Sequence, residues 1–230
     1  GGLGPHHGSG TPMTERRSTA SSTPREEAAN RLTHGLGLVA SLVGGPLLVG
    51  LAIRSGDPLG VASVAVYALT LVALYTASTL YHSVEKPDLK RVFRLLDHSA
   101  IFLLIAGTYT PVAVLVLRDG LGWALLGAAW LLAGAGIAWK ICCLEKFPVL
   151  GPVYYLAMGW LALVAVEPLL SALSTAELAW LLAGGVVYTS GVVFYAWKKL
   201  PFNHAVWHLF VLAGSACHYV AIALNVWPGA

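Results

Sequence analysis

The sequence is short of charged residues. Only 11% of its 230 residues are Asp, Glu, Lys or Arg, whereas 57% are hydrophobic, and the mean hydropathy is +0.72. A water-soluble domain carries about 25% charged residues, so this chain has too few to cover a surface that faces water. The scarcity of charge excludes an ordinary soluble fold and indicates a protein that lies within the lipid bilayer.

Two other classes of protein are excluded by features that are missing. No run of Lys and Arg is dense enough to bind nucleic acid, although the net charge is +3. The three cysteines, Cys142, Cys143 and Cys217, form neither a CxxC metal-binding spacing nor a disulfide framework. We therefore expect no nucleic-acid partner, and we interpret the cysteines as packing residues.

Long apolar runs dominate the rest of the chain. A helix rises about 1.5 Å per residue, so about 20 apolar residues cross a hydrocarbon core of about 30 Å. Strands of a membrane barrel are about half this length and alternate in polarity, which these runs do not. The sequence predicts an all-α bundle of seven transmembrane helices, at about 33–53, 59–81, 97–117, 120–139, 147–166, 178–197 and 204–226.

The first 25 residues differ in composition from this membrane domain. Residues 14–25 are polar and rich in Ser and Thr, so residues 1–25 are predicted to be a disordered tail and residues 26–230 the membrane domain. Residues 1–12 precede Met13 and are interpreted as a cloning-derived leader or an upstream misreading of the start. No signal peptide is expected, because the first apolar run is already long enough to span a membrane.

The distribution of Lys and Arg predicts the orientation of the bundle. Alternate loops place 12 of these residues on one side of the membrane and only Arg54 and Arg118 on the other. Because cytoplasmic loops carry the excess of positive charge, the N-terminus is predicted to be cytoplasmic and the C-terminus outside. The 12 residues on the predicted cytoplasmic side are Arg16, Arg17, Arg25, Arg31, Lys86, Lys90, Arg91, Arg94, Lys140, Lys146, Lys198 and Lys199.

Polar residues gather at the predicted cytoplasmic ends of four helices. A random distribution would place about half of them at the other end of the bundle. His218 departs from the pattern, since it lies about 15 Å deeper than His208 along a helix, and we interpret it as a packing residue that bonds a Tyr or a backbone carbonyl. The clustered residues are His34, Ser78, His82, Asp97, His98, His204 and His208.

Three of these histidines suit a metal site. His204 and His208 are four residues apart and share one face of a helix, and His82 can supply a third ligand from another helix. Catalytic zinc sites use three protein ligands and keep a fourth position for water. Copper, nickel or iron would also accept three imidazoles.

Asp97 and Ser78 are the candidate catalytic residues beside this site. Asp97 is interpreted as the general base or as a residue that orients water, and Ser78, one turn before His82, as a hydrogen-bond donor to that water. From the residues alone, two alternatives remain for Asp97: it caps the N-terminus of a helix or it pairs with Arg94. For Ser78 the alternative is a hydrogen bond to a backbone carbonyl. Isolated histidines in apolar helices are more often packing residues than ligands.

Four short motifs together resemble the progestin and adiponectin receptor family, and most closely its bacterial branch, called hemolysin III. Each motif is weak alone, but all four occur in order and on the expected helices, over roughly residues 26–225. They are ExxNxxTH (Glu27, Asn30, Thr33, His34), SxxxH (Ser78, His82), LxDxS (with Asp97 and Ser99) and HxxxH (His204, His208).

The resemblance implies a fold and a ligand set. Members of the family have seven helices with the N-terminus inside, and its receptors hold zinc through three histidines that match His82, His204 and His208, with an aspartate nearby that matches Asp97. Glu27, Asn30 and His34 are expected to form a structural cap beneath the site. His98 is a departure, because the receptors carry an aromatic residue there, and it could compete as a ligand.

Three functions remain open at the level of sequence. The resemblance implies that the chain belongs to a wider group of membrane hydrolases that includes alkaline ceramidases. The bacterial members of the family it resembles are linked to haemolysis and to membrane-lipid homeostasis. The first hypothesis is a zinc-dependent hydrolase of lipid amides or esters in the bacterial inner membrane. The second is a receptor or membrane-state sensor with structural zinc, and the third is a pore-forming cytolysin. The sequence does not indicate the oligomeric state.

Overall fold

A computed structural model describes residue 1 and the ranges 23–143 and 149–227 of the chain. Within the described residues, seven helices are long and apolar enough to span a membrane, which confirms the predicted seven-helix architecture. Most of the predicted disordered tail lies outside the described residues. The helices are α1 (Pro24–Ile53), α2 (Pro58–Tyr81), α3 (Pro87–Val116), α4 (Gly120–Cys142), α5 (Leu150–Ala172), α6 (Thr175–Ala196) and α7 (Asn203–Val226).

Several helices extend beyond the apolar runs that predicted them. The side chain of Thr23 accepts a hydrogen bond from the Glu26 N–H, and the Glu26 carboxylate accepts one from the Thr23 N–H, so α1 begins at Pro24. The predicted end of the tail at residue 25 is therefore wrong. The predicted start of α3 at 97 is also wrong, because Pro87 occupies the first turn and the charged residues that follow it are helical too.

Two of the spans contain a local change in helix type. In α3, Pro111 is followed by a π-helical turn over Val112–Val116, since a proline inside a helix removes a backbone hydrogen bond. In α5, a 3₁₀ turn covers Trp160–Ala165, and α5 continues past its predicted end at 166. Tyr109 donates its hydroxyl hydrogen to the Gly159 carbonyl, at 2.7 Å, which satisfies a backbone group that the interruption frees.

Helices α1, α2, α3 and α7 surround the polar end of the bundle. α1 packs against both α2 and α7, so the first and last spans are neighbours, and α2 packs along α3. The approach of α2 to α3 depends on Gly107, where a Cβ would lie 2.1 Å from the Thr70 hydroxyl oxygen. This close packing holds the ends of the four helices in fixed relative positions.

A cavity of about 350 Å³ lies inside the bundle, mainly between α3, α5, α6 and α7. Most of its lining is apolar, with Leu, Ile and Val side chains along its length. One end is formed by Leu74, Ile101 and Trp207, and His218 lies toward the other end. The cavity therefore begins about one turn from Ser78 and Asp97 and extends into the apolar middle of the bundle.

Candidate metal centre

The three predicted histidine ligands lie together. One ring nitrogen from each of His82, His204 and His208 lies within 4.8 Å of the others. His82 is the residue directly after α2, and His204 and His208 occupy the first two turns of α7. The start of α7 is tied to α1, because the backbone N–H of Phe202 donates to the Glu26 carboxylate at 3.3 Å. The structure thus brings residues more than 120 positions apart into one group.

The outer ring nitrogens of two of these histidines are held by α1. His82 Nδ1 donates to the Glu27 carboxylate at 2.6 Å, and His208 Nδ1 donates to the Asn30 carbonyl at 3.2 Å. The Thr33 hydroxyl oxygen lies 3.1 Å from the same His208 nitrogen. Metal-binding histidines are usually fixed in this way, with one ring nitrogen bonded to a carboxylate or carbonyl and the other free to bind the ion.

The inner ring nitrogens of two of the three histidines lack a partner within the described residues. The Nε2 atoms of His82 and His204 are buried and make no hydrogen bond. Burial lowers the pKa of His82, while its hydrogen bond to Glu27 opposes that shift. A neutral imidazole with a free lone pair is the form that binds a metal ion. Because an unsatisfied buried nitrogen is costly, these atoms fit a metal site better than a packing role.

The candidate catalytic residues lie in the same end of the bundle. Asp97 is 6% exposed and lies well inside α3, so the alternative in which it caps the start of that helix is wrong. Ser78 is 0% exposed. Its hydroxyl is a neighbour of the Asp97 carboxylate, although the two do not form a hydrogen bond of normal geometry. Asp97 is not one of the three grouped ligands.

Residues of α1 take a larger part in the site than the sequence indicated. Glu27, Asn30 and Thr33 contact His82 or His208 directly, which is compatible with the structural role expected of Glu27 and Asn30. The ring of His34 stacks on that of His208, with 3.5 Å between centroids and 15° between planes. The spacing of residues 27, 30 and 34 on one helix face could have predicted this.

The remaining histidines of the membrane domain lie outside the ligand group. His98 does not join it, and its backbone carbonyl accepts a hydrogen bond from the Tyr155 hydroxyl at 2.9 Å. His218 Nε2 donates to the Leu181 carbonyl at 3.2 Å, which is one of the two kinds of partner that we expected.

Buried side-chain atoms without a hydrogen-bond partner are concentrated around the histidines. Among the described residues, no such atom lies in the opposite half of the bundle. Buried polar groups in native proteins are nearly always satisfied by protein, water or an ion, so their concentration marks a ligand site. Besides His82 and His204, they include atoms of Asn30, His34, Ser78, Thr79 and His98.

Comparison with known proteins agrees with the motifs. A family model described as haemolysin-III related matches residues 22–219. Hemolysin-3 of Bacillus cereus is 44% identical over 218 residues, which cover 95% of this chain and 100% of the relative. The hemolysin-3 homolog of Bacillus subtilis (strain 168) is 42% identical over 200 residues, covering 87% and 94%.

A human protein is also similar. The monocyte to macrophage differentiation factor of Homo sapiens is 34% identical over 203 residues, covering 86% of this chain and 83% of the relative. The resemblance predicted from the four motifs is confirmed by these matches. The chain belongs to the haemolysin-III related family of multi-pass membrane proteins, which is related to the progestin and adiponectin receptors.

Proposed function

We propose that this protein is a zinc-dependent hydrolase of membrane-lipid amides or esters. One observation carries the proposal: ring nitrogens of two buried histidines, His82 and His208, and of the half-buried His204 converge within 4.8 Å, and α1 holds the outer nitrogens of His82 and His208. Three neutral imidazoles are a typical donor set for catalytic zinc, and they leave a coordination position open to water. When bound, zinc lowers the pKa of its water to about 7 and polarises a carbonyl group.

The protein groups beside the histidines have the chemistry that hydrolysis requires. Asp97 accepts the proton of the attacking water on a carboxylate oxygen and returns it to the leaving nitrogen or oxygen. Ser78 donates its hydroxyl hydrogen to the water or to the substrate carbonyl. Glu27 keeps His82 in the tautomer whose Nε2 faces the centre.

The cavity explains why the substrate would be a lipid. Leu74 lies one turn from Ser78, and Ile101 lies one turn from Asp97, and both line the end of the cavity nearest the site. A substrate with its carbonyl group at the histidines would therefore place an acyl chain in the cavity. Burial of the chain contributes about 0.8 kcal/mol per CH₂ group, so the cavity favours long-chain substrates.

The alternatives are less well supported by the arrangement of the residues. A structural zinc site in a sensor is normally closed by four protein ligands, and among the described residues no fourth His, Cys, Asp or Glu joins the three. A pore requires polar groups along its length, whereas the cavity lining is mainly apolar.

We place the protein in the bacterial cytoplasmic membrane, with the site near the cytoplasmic face, on the Lys and Arg distribution.

Elemental analysis of the detergent-purified protein tests the proposal first. We expect about one zinc per chain in the natural protein, loss of zinc in His82→Ala, and retention in the control His218→Ala, because a catalytic site binds one ion through its three ligands. Zinc-loaded protein should then release fatty acid from lipid amides or esters in mixed micelles. Absence of metal from the natural protein, after purification without chelators, would overturn the proposal. Bound zinc without hydrolysis of any lipid class would favour the sensor.

A further inference from the structure

His34 is a polar residue of α1 that the proposed hydrolysis does not use. Its side chain is 3% exposed, and among the described residues neither Nδ1 nor Nε2 has a hydrogen-bond partner. One turn earlier on the same helix face, Oδ1 of Asn30 is also buried and without a partner. A neutral imidazole carries one N–H donor and one acceptor nitrogen, so His34 lacks a partner for both.

This arrangement is unfavourable in the structure as it stands. Each buried donor or acceptor without a partner costs about 1–3 kcal/mol, and an apolar side chain of similar size would fill the same space without that cost. Buried polar groups in native proteins are nearly always satisfied by protein, water or an ion. A histidine at this position is therefore explained best by a bound molecule that forms hydrogen bonds with it.

His34 contacts one of the proposed metal ligands without being a ligand itself. Its ring stacks on that of His208, with 3.5 Å between centroids and 15° between planes, and the Tyr75 ring meets it edge to face at 5.2 Å and 87°. An imidazole nitrogen binds an ion in the plane of its own ring. Because the two stacked rings are nearly parallel, His34 and His208 do not share one ion, and His34 does not belong to the ligand group.

The position of His34 indicates which molecule satisfies it. We propose that His34, with the side chain of Asn30, binds the group that occupies the open position of the metal site, which is water in the resting protein and a polar group of the substrate during turnover. His34 offers one donor and one acceptor, so the bound group must both accept and donate hydrogen bonds, as water does. This inference rests on the metal site of the proposed function, and it assigns α1 a part in binding.

A small metal-binding probe tests the assignment without turnover. The detergent-purified protein is loaded with cobalt and titrated with acetohydroxamic acid, which binds a metal through oxygen and also carries an N–H donor. The visible absorption spectrum of cobalt reports both events. His34→Phe keeps an aromatic ring on His208 and removes both nitrogens. We expect cobalt to be retained and the Kd of acetohydroxamic acid to rise about fivefold, equivalent to about 1 kcal/mol from one hydrogen bond.

Tyr75→Phe is the matched control. It removes a hydroxyl that already donates to Ser215 Oγ, and it keeps the ring that contacts His34. The Kd of acetohydroxamic acid should therefore not change. Asn30→Leu is the second variant if His34→Phe does not fold. It removes Oδ1 but keeps the backbone carbonyl that contacts His208, and we expect the Kd to rise by a smaller factor than in His34→Phe.

An unchanged Kd in folded, cobalt-loaded His34→Phe would overturn the assignment, and so would an unchanged Kd in Asn30→Leu where His34→Phe does not fold. His34 would then only support the ring of His208. Loss of cobalt from folded His34→Phe would also overturn it, because His34 would act on the metal rather than on the bound group. Failure of the natural protein to bind any metal would overturn both this inference and the proposed function. The expected rise in Kd without hydrolysis of any lipid would reject the hydrolase alone.

Discussion

The bundle buries two groups of polar side chains on α7, the histidine site near the start of the helix and a tyrosine network around Ser215 farther along it. In the network, the Tyr75 hydroxyl donates to Ser215 Oγ at 2.9 Å, and the Tyr188 hydroxyl lies 2.7 Å from the same atom. Tyr67 donates to the Ser215 carbonyl at 3.4 Å. Each hydroxyl of the network therefore has a partner within the protein.

The histidine site has the opposite character. The inner nitrogens of His82 and His204 are buried and have no hydrogen-bond partner among the described residues. A satisfied network joins helices and needs nothing further, whereas an unsatisfied one requires an ion or water to be stable. The comparison supports a structural role for the tyrosine network and supports the proposal of a metal site at the histidines. Five variants test this distinction.

The largest effect is expected from His208→Ala. The variant removes a proposed ligand and leaves the Asn30 carbonyl and the Thr33 hydroxyl without the imidazole that contacts them. We expect zinc content to fall from about one per chain to near zero, and the melting temperature to fall by at least about 5 °C. Elemental analysis and thermal unfolding measure both. Unchanged zinc content would remove His208 from the ligand set.

Asp97→Asn is expected to have the next largest effect, on activity rather than on metal content. The substitution keeps the shape of the side chain but removes its ability to accept a proton. Zinc should be retained, and lipid hydrolysis should slow by about 10²–10⁴-fold, the usual contribution of a general base. The readouts are turnover and zinc content of the same sample. Full activity would reject Asp97 as the base, and loss of zinc would make it a ligand.

Glu27→Gln should weaken metal binding without abolishing it. The carboxylate that orients His82 becomes a neutral amide, and loss of such a partner typically lowers metal affinity by about 10–100-fold. Competition with a zinc chelator measures the change. Glu26→Gln is the matched control, since Glu26 contacts Thr23 and Phe202 but no histidine. Equal affinity in the two variants would show that Glu27 does not act on the metal.

Ser215→Ala tests the other half of the comparison. The substitution leaves the hydroxyls of Tyr75 and Tyr188 without their partner, and we expect it to lower the free energy of unfolding by about 1–2 kcal/mol. Zinc content and turnover of the folded protein should not change. Thermal unfolding and elemental analysis give the two values. A loss of metal at unchanged stability would contradict a purely structural role for the network.

The smallest effect is expected from His218→Ala. The variant loses one hydrogen bond to the Leu181 carbonyl, so stability should fall by about 1 kcal/mol. Zinc should be retained, because His218 lies far along α7 from the ligand group. The same two measurements apply, with the natural protein as reference. Loss of zinc from a folded His218→Ala variant would show that His218 takes part in the metal site.

The length and composition of the apolar runs determined the fold class of this protein from its sequence. The backbone must satisfy its own hydrogen bonds in lipid, so long apolar runs can only be helices. The boundaries were harder to predict, because the first turns of α1 and α3 are charged and continue as helix outside the apolar runs. The four motifs were sufficient to indicate the family, since their order and spacing along the helices are specific.

Tertiary structure decided which of the polar residues meet. Spacing alone predicted that His204 and His208 share a helix face. His82 reaches them only because α2 packs against α1 and α1 packs against α7. The same packing turns Glu27 toward His82. It also separated His98 and His218 from the group, although their residue type is the same. Sequence determined the helices because their hydrogen bonds are local, whereas the site depends on contacts between residues distant in the chain.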